Sequence, residues 1–234
     1  MQNRNLFFQS LLQLFFPNTC HGCGCSLPVE NMVFCLYCES SMPLTRFEEF
    51  PSNPIEKLFW GRVEIQAASA HVYFTSGSAI QQSLHLLKYK GRKEIGWYFG
   101  RRMGIAIKNC GRFADCEIIL PLPLFAEREK KRGYNQSKVI ADSLSAELKI
   151  PIVTTAIYRV KKTETQTHKN RIDRWKNMEA TFEIRDPQLI TNRHLLIIDD
   201  VVTTGASLEA CARELLKTKG VRVSICCLAH TVSS

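Results

Sequence analysis

The sequence predicts an α/β fold, with a parallel central sheet flanked by helices and a small N-terminal zinc-ribbon-like module. Solid apolar runs alternate with segments whose apolar residues recur at helical spacing, which is typical of parallel strands joined by helices. Four cysteines near the N-terminus form two C-x2-C pairs. The chain has 234 residues, 45% of them hydrophobic, which suffices for one full domain and a small appendage.

The composition favours an anionic ligand. The net charge is +9, which suits polyphosphates, nucleic acid or both. We expect three parts: an N-terminal helix and zinc-knuckle module over residues 1–45, a linker over 46–66, and the α/β domain over 67–234. The linker contains Pro51 and Pro54 and has no clear period, and the run Leu58-Phe59-Trp60 is expected to anchor it to the main domain.

The paired cysteines predict a structural zinc site. Two C-x2-C knuckles are the usual way to place four thiolates around a tetrahedral zinc ion, which leaves no open position for catalysis. His21 and Cys25 are competing ligands that fit this geometry less well. The other cysteines lie in apolar stretches as small buried thiols, so a reducing, cytoplasmic location is expected. The four predicted ligands are Cys20, Cys23, Cys35 and Cys38.

The apolar N-terminal stretch, residues 6–16, is too short to cross a bilayer, which takes about 20 apolar residues. No small-residue cleavage site follows it, which argues against a signal peptide. We expect an amphipathic helix that packs on the protein, with contact to a membrane surface or a partner as the alternative. No integral membrane association is predicted.

Periodicity places the elements of the main domain. Strands are predicted at 67–75, 117–124, 151–153, 195–202 and 221–229, and helices at 78–89, 94–109, 136–148 and from 205 onward. Residues 159–176 are strongly basic and polar, and are expected to form a long mobile loop.

The most informative stretch begins with the apolar run Leu195–Ile198 and ends in two adjacent carboxylates, Asp199 and Asp200. A hydroxyl- and glycine-bearing loop follows, and then a helix begins. The free N–H groups and the dipole at a helix start favour a phosphate, and Thr and Ser hydroxyls add donors. Two acids beside such a loop suit sugar hydroxyls or a hydrated magnesium ion.

This stretch, D-D-V-V-T-T-G-A-S, resembles the phosphoribosyl pyrophosphate (PRPP) signature of type I phosphoribosyltransferases. With three further blocks the whole chain resembles the ComF family, in which a zinc module is fused to a phosphoribosyltransferase domain. The order and spacing of the blocks are specific, and Thr163, Gln166, Arg174, Asn177 and Phe182 also fit the pattern. The further blocks are the cysteine pairs, L-K-Y-K-G at Leu87–Gly91, and L-P-L-P-L at Leu120–Leu124 followed by K-R-G-Y-N-Q-S at Lys131–Ser137.

The resemblance implies roles for individual residues. Asp199 and Asp200 would bind the ribose hydroxyls, directly or through magnesium that arrives with PRPP. The 5′-phosphate would lie on the loop formed by Thr203, Thr204, Gly205, Ala206 and Ser207. Leu122 and Pro123 would belong to the pyrophosphate loop, with Arg128 and Arg132 as guanidinium partners of the pyrophosphate. Lys169, Arg171 and Arg174 would belong to a flexible hood that closes over the site.

Two departures limit the function. Thr203 stands where 6-oxopurine salvage enzymes carry an acid, so a carboxylate general base for a purine is missing and the catalytic residues stay unknown. Lys169 stands where many family members carry an apolar residue, which makes the hood more cationic.

The resemblance implies a PRPP- and magnesium-binding protein that acts in DNA uptake during natural competence and handles single-stranded DNA in the cytoplasm. Competence-machinery proteins are then candidate partners. The basic segments 88–93, 128–138 and 159–176 suit a strand-tracking surface, or they serve pyrophosphate or solvent alone. The alternative is a metabolic enzyme that transfers ribose 5-phosphate to an unknown base or amine. A scaffold with a relic site is a third hypothesis, against which the intact acid pair argues.

Overall fold

The computed structural model of the chain describes residues 18–29, 32–160 and 181–231. Four strands form a parallel sheet in the order β1-β6-β5-β2, and β3 and β4 form a two-stranded antiparallel sheet. The strands are β1 Ala68–Phe74, β2 Ile118–Pro121, β3 Ile157–Val160, β4 Thr181–Ile184, β5 His194–Val202 and β6 Arg222–Thr231. The helices are α1 Leu36–Ser40, α2 Pro54–Lys57, α3 Ala79–Tyr89, α4 Lys93–Cys110, α5 Ala126–Arg132, α6 Gln136–Leu148 and α7 Ala206–Leu215.

Strand β5 lies in the middle of the sheet, between β2 and β6. Its apolar run is buried because side chains from helices and loops cover both faces, which is the environment of parallel strands. Pro121 at the end of β2 is level with Ile198, and the Leu122 amide donates to the Ile198 carbonyl at 2.8 Å. The residues after β2 and after β5 therefore meet at one edge of the sheet, where open α/β sheets bind ligands.

Two hydrophobic cores lie on opposite faces of the sheet. One contains side chains of α3, α4 and α6 together with the cysteine module. The other contains the apolar side of α7, the hairpin β3–β4 and residues from 47 to 59. Helices α4 and α6 approach closely at Gly100, where a Cβ atom would collide with the Ile140 carbonyl oxygen.

The segment predicted as a linker packs on the sheet. It contains a 3-10 helix, Phe47–Glu49, and the short helix α2. The Asn53 side chain caps α2 and donates to the carbonyls of Phe47 at 2.9 Å and Ala68 at 2.8 Å. Of the predicted anchor residues, Phe59 is fully buried, whereas Trp60 is 59% exposed. The attachment to the main domain therefore rests on Phe59.

Three local predictions need correction. The strand predicted over 117–124 is only four residues long, because Pro123 cannot donate to a neighbouring strand. The predicted strand at 151–153 makes a single bridge between Ile152 and Ile119. Arg159, predicted to begin a mobile loop, lies in β3 and pairs with Phe182 of β4.

Helix α5 was not predicted, because its seven residues, mostly charged, carry no apolar period. Val160 also lies in β3, and the predicted loop from residue 161 onward lies outside the described residues. The same holds for the predicted N-terminal helix, the hood residues Lys169, Arg171 and Arg174, and the family positions Thr163, Gln166 and Asn177.

The cysteine module is held on α3 and α4 by packing and hydrogen bonds. The ring of Phe34 packs edge-on against Tyr98, with 4.9 Å between centroids. Glu39 accepts from Arg102 Nη1 at 2.7 Å, and Ser83 Oγ donates to the His21 carbonyl at 3.1 Å. Among the described helices, none is both long and apolar enough to cross a membrane.

Candidate functional site

The two acids at the end of β5 are held by different elements. Asp199 Oδ1 accepts from Ser137 Oγ at 2.9 Å and from the Asp200 amide at 2.8 Å. Asp200 is 4% exposed, and its Oδ1 lies 2.9 Å from Lys88 Nζ at the end of α3. Its Oδ2 is buried and has no hydrogen-bond partner among the described residues. The pair thus has a lysine and a serine as fixed partners, and the buried Oδ2 of Asp200 is left without one among the described residues.

Burial and the adjacent Asp200 charge raise the pKa of Asp199 to about 7, while hydrogen bonds from the Asp200 amide and Ser137 and the charge of Lys88 oppose this. Two neighbouring carboxylates in a desolvated site repel each other, so a bound cation or hydroxyl donors would relieve the repulsion. Carboxylate oxygens are the ligands that magnesium prefers, and Asp200 Oδ2 is uncommitted. The residues therefore fit a magnesium ion or a sugar diol.

The loop after β5, from Thr203 to Ser207, is the predicted phosphate loop, and its geometry would suit a cradle for an anion. Thr203 and Thr204 are exposed, and α7, a ten-residue helix, begins directly after Gly205. The Ala206 amide donates to Thr204 Oγ1 at 3.5 Å, and the amides of a helix's first turn have no acceptor within the helix. Gly205 has φ of 76°, and a Cβ there would lie 3.1 Å from the Phe59 ring. Glycine is therefore required both by the left-handed backbone and by the contact with Phe59.

Arg62 contacts both the predicted phosphate loop and the helix that follows it. Its Nη1 donates to the Thr204 carbonyl at 3.1 Å, and its guanidinium forms an ion pair with Glu209 of α7. The segment predicted as a linker therefore fixes the position of the phosphate loop through Phe59 and Arg62.

A chain of hydrogen bonds joins the predicted pyrophosphate loop to the acid pair. The buried carbonyl of Leu122 accepts from Asn135 Nδ2 at 3.0 Å. Asn135 Oδ1 in turn accepts from the Ser137 amide at 2.9 Å, which caps α6, and Ser137 Oγ donates to Asp199. The backbone at Leu122 and Pro123 is thus set in a fixed position beside the two acids.

The two arginines predicted to bind pyrophosphate pack on aromatic rings in this structure. Arg128 lies over the Phe125 ring at 5.7 Å, and Arg132 lies over the Tyr89 ring at 5.4 Å and donates to Gln136. Neither has a hydrogen bond or ion pair to the acid pair or to the phosphate loop among the described residues. Their assignment to pyrophosphate stays a prediction.

Three residues with direct contacts in the site were not assigned from the sequence. Lys88 and Ser137 stand within the family blocks L-K-Y-K-G and K-R-G-Y-N-Q-S, which was the available signal. Arg159 contacts the phosphate loop, since its Nη2 donates to Ser207 Oγ at 3.3 Å. Its only sequence signal was that it begins a basic stretch.

The four predicted zinc ligands converge. The Sγ atoms of Cys20, Cys23, Cys35 and Cys38 all lie within 4.8 Å of one another. The Cys23 and Cys35 sulfurs are 3.7 Å apart, close to the separation of about 3.8 Å expected around a tetrahedral ion with Zn–S bonds near 2.3 Å. Backbone amides of Gly22 and Cys35 point at Cys20 Sγ, at 3.4 and 3.3 Å. This arrangement fits a metal ion held by thiolates.

The competing ligands do not belong to the cluster. Cys25 is exposed and is not one of the four converging residues, although its side chain interacts with those of Cys23 and Cys35. His21 Nε2 lies 3.1 Å from Glu94 Oε1 on α4, so its ring is committed to the interface with that helix.

Comparisons with known proteins identify the family. The model of the phosphoribosyl transferase domain family matches residues 135–233. Competence protein F of Haemophilus influenzae is 27% identical over 203 residues, which cover 85% of this chain and 84% of that protein. Competence protein ComFC of Bacillus subtilis is 28% identical over 153 residues, covering 65% of this chain and 59% of that protein.

The chain belongs to the ComF family of phosphoribosyltransferase-domain proteins. DNA utilization protein YhgH of Escherichia coli O157:H7 is a further relative, 31% identical over 152 residues. That match covers 64% of this chain and 66% of the relative, just under two thirds of its length.

In this ComF-family chain the matched domain begins at Asn135. It therefore contains Ser137, the acid pair and the phosphate loop, whereas Lys88 and the cysteine cluster lie before it. The sheet and its flanking helices confirm the predicted fold class, and the cysteine cluster is consistent with the predicted zinc module.

The raised pKa of Asp199 predicts how the stability of the protein changes with pH. The folded chain keeps a proton on Asp199 up to about pH 7, whereas the unfolded chain loses it near the ordinary value of 3.8. The free energy of unfolding should therefore fall as pH rises between these values. Asp199→Asn has no proton to lose, so it should be more stable than wild type above pH 7 by about 2 to 4 kcal/mol, and the advantage should vanish near pH 4.

Urea unfolding of both proteins between pH 4 and pH 8 measures this difference. Asp142→Asn is the control, because Asp142 is an exposed partner of Lys138 on α6 and should show no such trend. A difference between wild type and Asp199→Asn that stays constant across this range would contradict the assignment.

Proposed function

We propose that this ComF-family protein binds PRPP with magnesium and acts in DNA uptake during natural competence, handling single-stranded DNA in the cytoplasm. The observation that carries the proposal is that hydrogen bonds join the acid pair to the Leu122 backbone at one edge of the sheet, and that the phosphate loop directly follows the acid pair at the end of β5.

Each chemical group of PRPP has a suitable partner in this site. Its 5′-phosphate needs N–H and hydroxyl donors, which the start of α7 supplies. Its ribose hydroxyls need acceptors, which Asp199 and Asp200 supply. Its diphosphate and magnesium need cations and carboxylate oxygen, which Lys88 Nζ and Asp200 Oδ2 offer at the same place.

A transfer reaction at this site would depend on electrostatics. Departure of pyrophosphate from C1 of the ribose leaves an oxocarbenium-like centre, which the nearby carboxylates stabilise, while cations stabilise the leaving group. Magnesium, when bound, would supply part of that charge. Thr203 is exposed and carries no carboxylate, so the acceptor's proton has no evident base there.

Three observations support a role with DNA. Relatives carry the names competence protein and DNA utilization protein. The chain has a net charge of +9. Tyr89, next to Lys88, is 65% exposed; its ring centroid is 5.1 Å from that of His85, and the guanidinium of Arg132 lies over its ring. An exposed ring among cations suits stacking of an unpaired base.

A metabolic phosphoribosyltransferase is the second candidate. The match to the phosphoribosyl transferase domain and the intact acid pair favour it. In that case the acceptor is a small base or amine, and the cations around Tyr89 serve only PRPP.

We also propose that the ion held by the cysteine cluster is zinc with a structural role. The cluster packs against α3, the helix that carries Lys88. Gly22 lies in this contact, since a Cβ atom there would be only 2.9 Å from Cys38 Sγ and 3.1 Å from Ala79 Cβ. Loss of the metal would loosen this contact and with it the support of α3.

Zinc analysis tests the cluster. Protein purified under reducing, chelator-free conditions should contain about one zinc ion per chain. Cys23→Ser should lose the metal, because a hydroxyl replaces one of four thiolates. Cys25→Ser is the matched control and should keep the metal, because Cys25 is also exposed but is not one of the four converging residues. Equal zinc loss in both variants, or no zinc in the wild type, would refute the ligand set.

The DNA role predicts that the wild type retards single-stranded DNA in a gel at low salt. Tyr89→Ala should weaken this binding about 5- to 100-fold, because a stacked base contributes about 1 to 3 kcal/mol. Trp97→Ala is the control, since Trp97 is a similarly exposed aromatic residue, 51% exposed, on α4.

Each result has a consequence for the two candidate functions. A wild type that binds no single-stranded DNA at low salt would exclude the DNA role as stated. Release of pyrophosphate from PRPP upon addition of a base or an amine, but not of DNA, would then favour the metabolic enzyme.

A further inference from the structure

Arg159 reaches the phosphate loop from a different element. It lies in β3, and its guanidinium packs over Phe125 at 4.3 Å and over Phe182 at 5.5 Å. Its Nη2 donates to Ser207 Oγ, in the first turn of α7, at 3.3 Å. The two aromatic rings thus hold a cation against the cradle proposed for the 5′-phosphate.

This guanidinium has an unused donor. Nε of Arg159 is buried and has no hydrogen-bond partner among the described residues. An unpaired buried N–H is costly, so such a group indicates that a partner is missing. Nε and Nη2 lie on the same edge of the guanidinium, and two N–H groups on one edge match two oxygens of a phosphate.

The charge of Arg159 has no directly paired partner within the described ranges, because no carboxylate there lies at ion-pair distance from it. Burial and the neighbouring Arg128 lower its pKa, whereas Asp199 raises it, and a guanidinium stays protonated at any physiological pH. A half-buried cation that contacts Ser207 and has no ion pair among the described residues is suited to a dianionic ligand on the loop.

We infer that Arg159 is a second ligand of the 5′-phosphate, supplied from outside the Thr203–Ser207 loop, and that it makes the site selective for sugars with a terminal phosphate monoester. A phosphate bound on the loop would replace Ser207 Oγ as the acceptor of the hydrogen bond from Arg159 Nη2. It would also accept a hydrogen bond from Arg159 Nε. The inference rests on the proposed function, because it requires that the loop binds the phosphate of PRPP.

Calorimetry with the full chain and magnesium tests this role. The ligands are PRPP, ribose 5-phosphate and pyrophosphate. Arg159→Gln should weaken PRPP and ribose 5-phosphate binding about 10- to 100-fold, the usual effect of losing hydrogen bonds to a charged group, and should leave pyrophosphate affinity within about twofold. Arg159→Lys should fall between, because it keeps the charge but loses the paired donors.

Arg185→Gln is the matched control. Arg185 follows β4 of the same hairpin and lies over the Tyr158 ring at 5.8 Å, but it is exposed and has no contact with the loop. It should bind all three ligands like the wild type. Thermal unfolding shows whether each variant is folded, and if Arg159→Gln is not, the comparison rests on Arg159→Lys.

The outcomes separate this inference from the proposed function. Unchanged affinity for ribose 5-phosphate in the Arg159 variants overturns the inference and leaves PRPP binding intact. An equal loss for all three ligands shows that Arg159 only supports the fold. A wild type that binds neither PRPP nor ribose 5-phosphate overturns the proposed function, and the inference with it.

Discussion

The structure depends on the placement of two adjacent carboxylates at the end of a buried central strand. Asp200 is almost fully buried and Asp199 is half-buried, so their charges must be met by protein groups or by a ligand. Lys88 and Ser137 meet part of this charge, and they come from α3 and α6, on the same side of the sheet. Asp200 Oδ2 is left for a ligand or its metal ion.

The position of Lys88 connects the cysteine module to the site. The module packs on α3 and α4 through Phe34, Glu39 and Gly22, and the last turn of α3 carries the lysine that reaches Asp200. On the other side of the sheet, Phe59 and Arg62 hold the phosphate loop. The cysteine cluster and the acid pair are therefore linked through packing, although they share no residue.

The parts of this arrangement that could be predicted are those encoded within short stretches. The acid pair, the phosphate loop and the four cysteines each lie in one or two local motifs, and the apolar period gave most helices and strands. Lys88 contacts Asp200, which is 112 residues further along the chain (200 minus 88). Arg159 contacts Ser207, which is 48 residues further along (207 minus 159). Pairings at that range, like the one between β3 and β4, leave no periodic signal in a single sequence.

Calorimetric titration of the wild type and of the double variant Asp199→Asn, Asp200→Asn with PRPP and magnesium tests the central claim most directly. The wild type should bind, and the double variant should lose at least about 100-fold in affinity, because the diol and magnesium lose their carboxylate partners. Asp142→Asn, an exposed acid on α6, should bind like the wild type. Unchanged affinity in the double variant would contradict the assignment of the acid pair as the PRPP site.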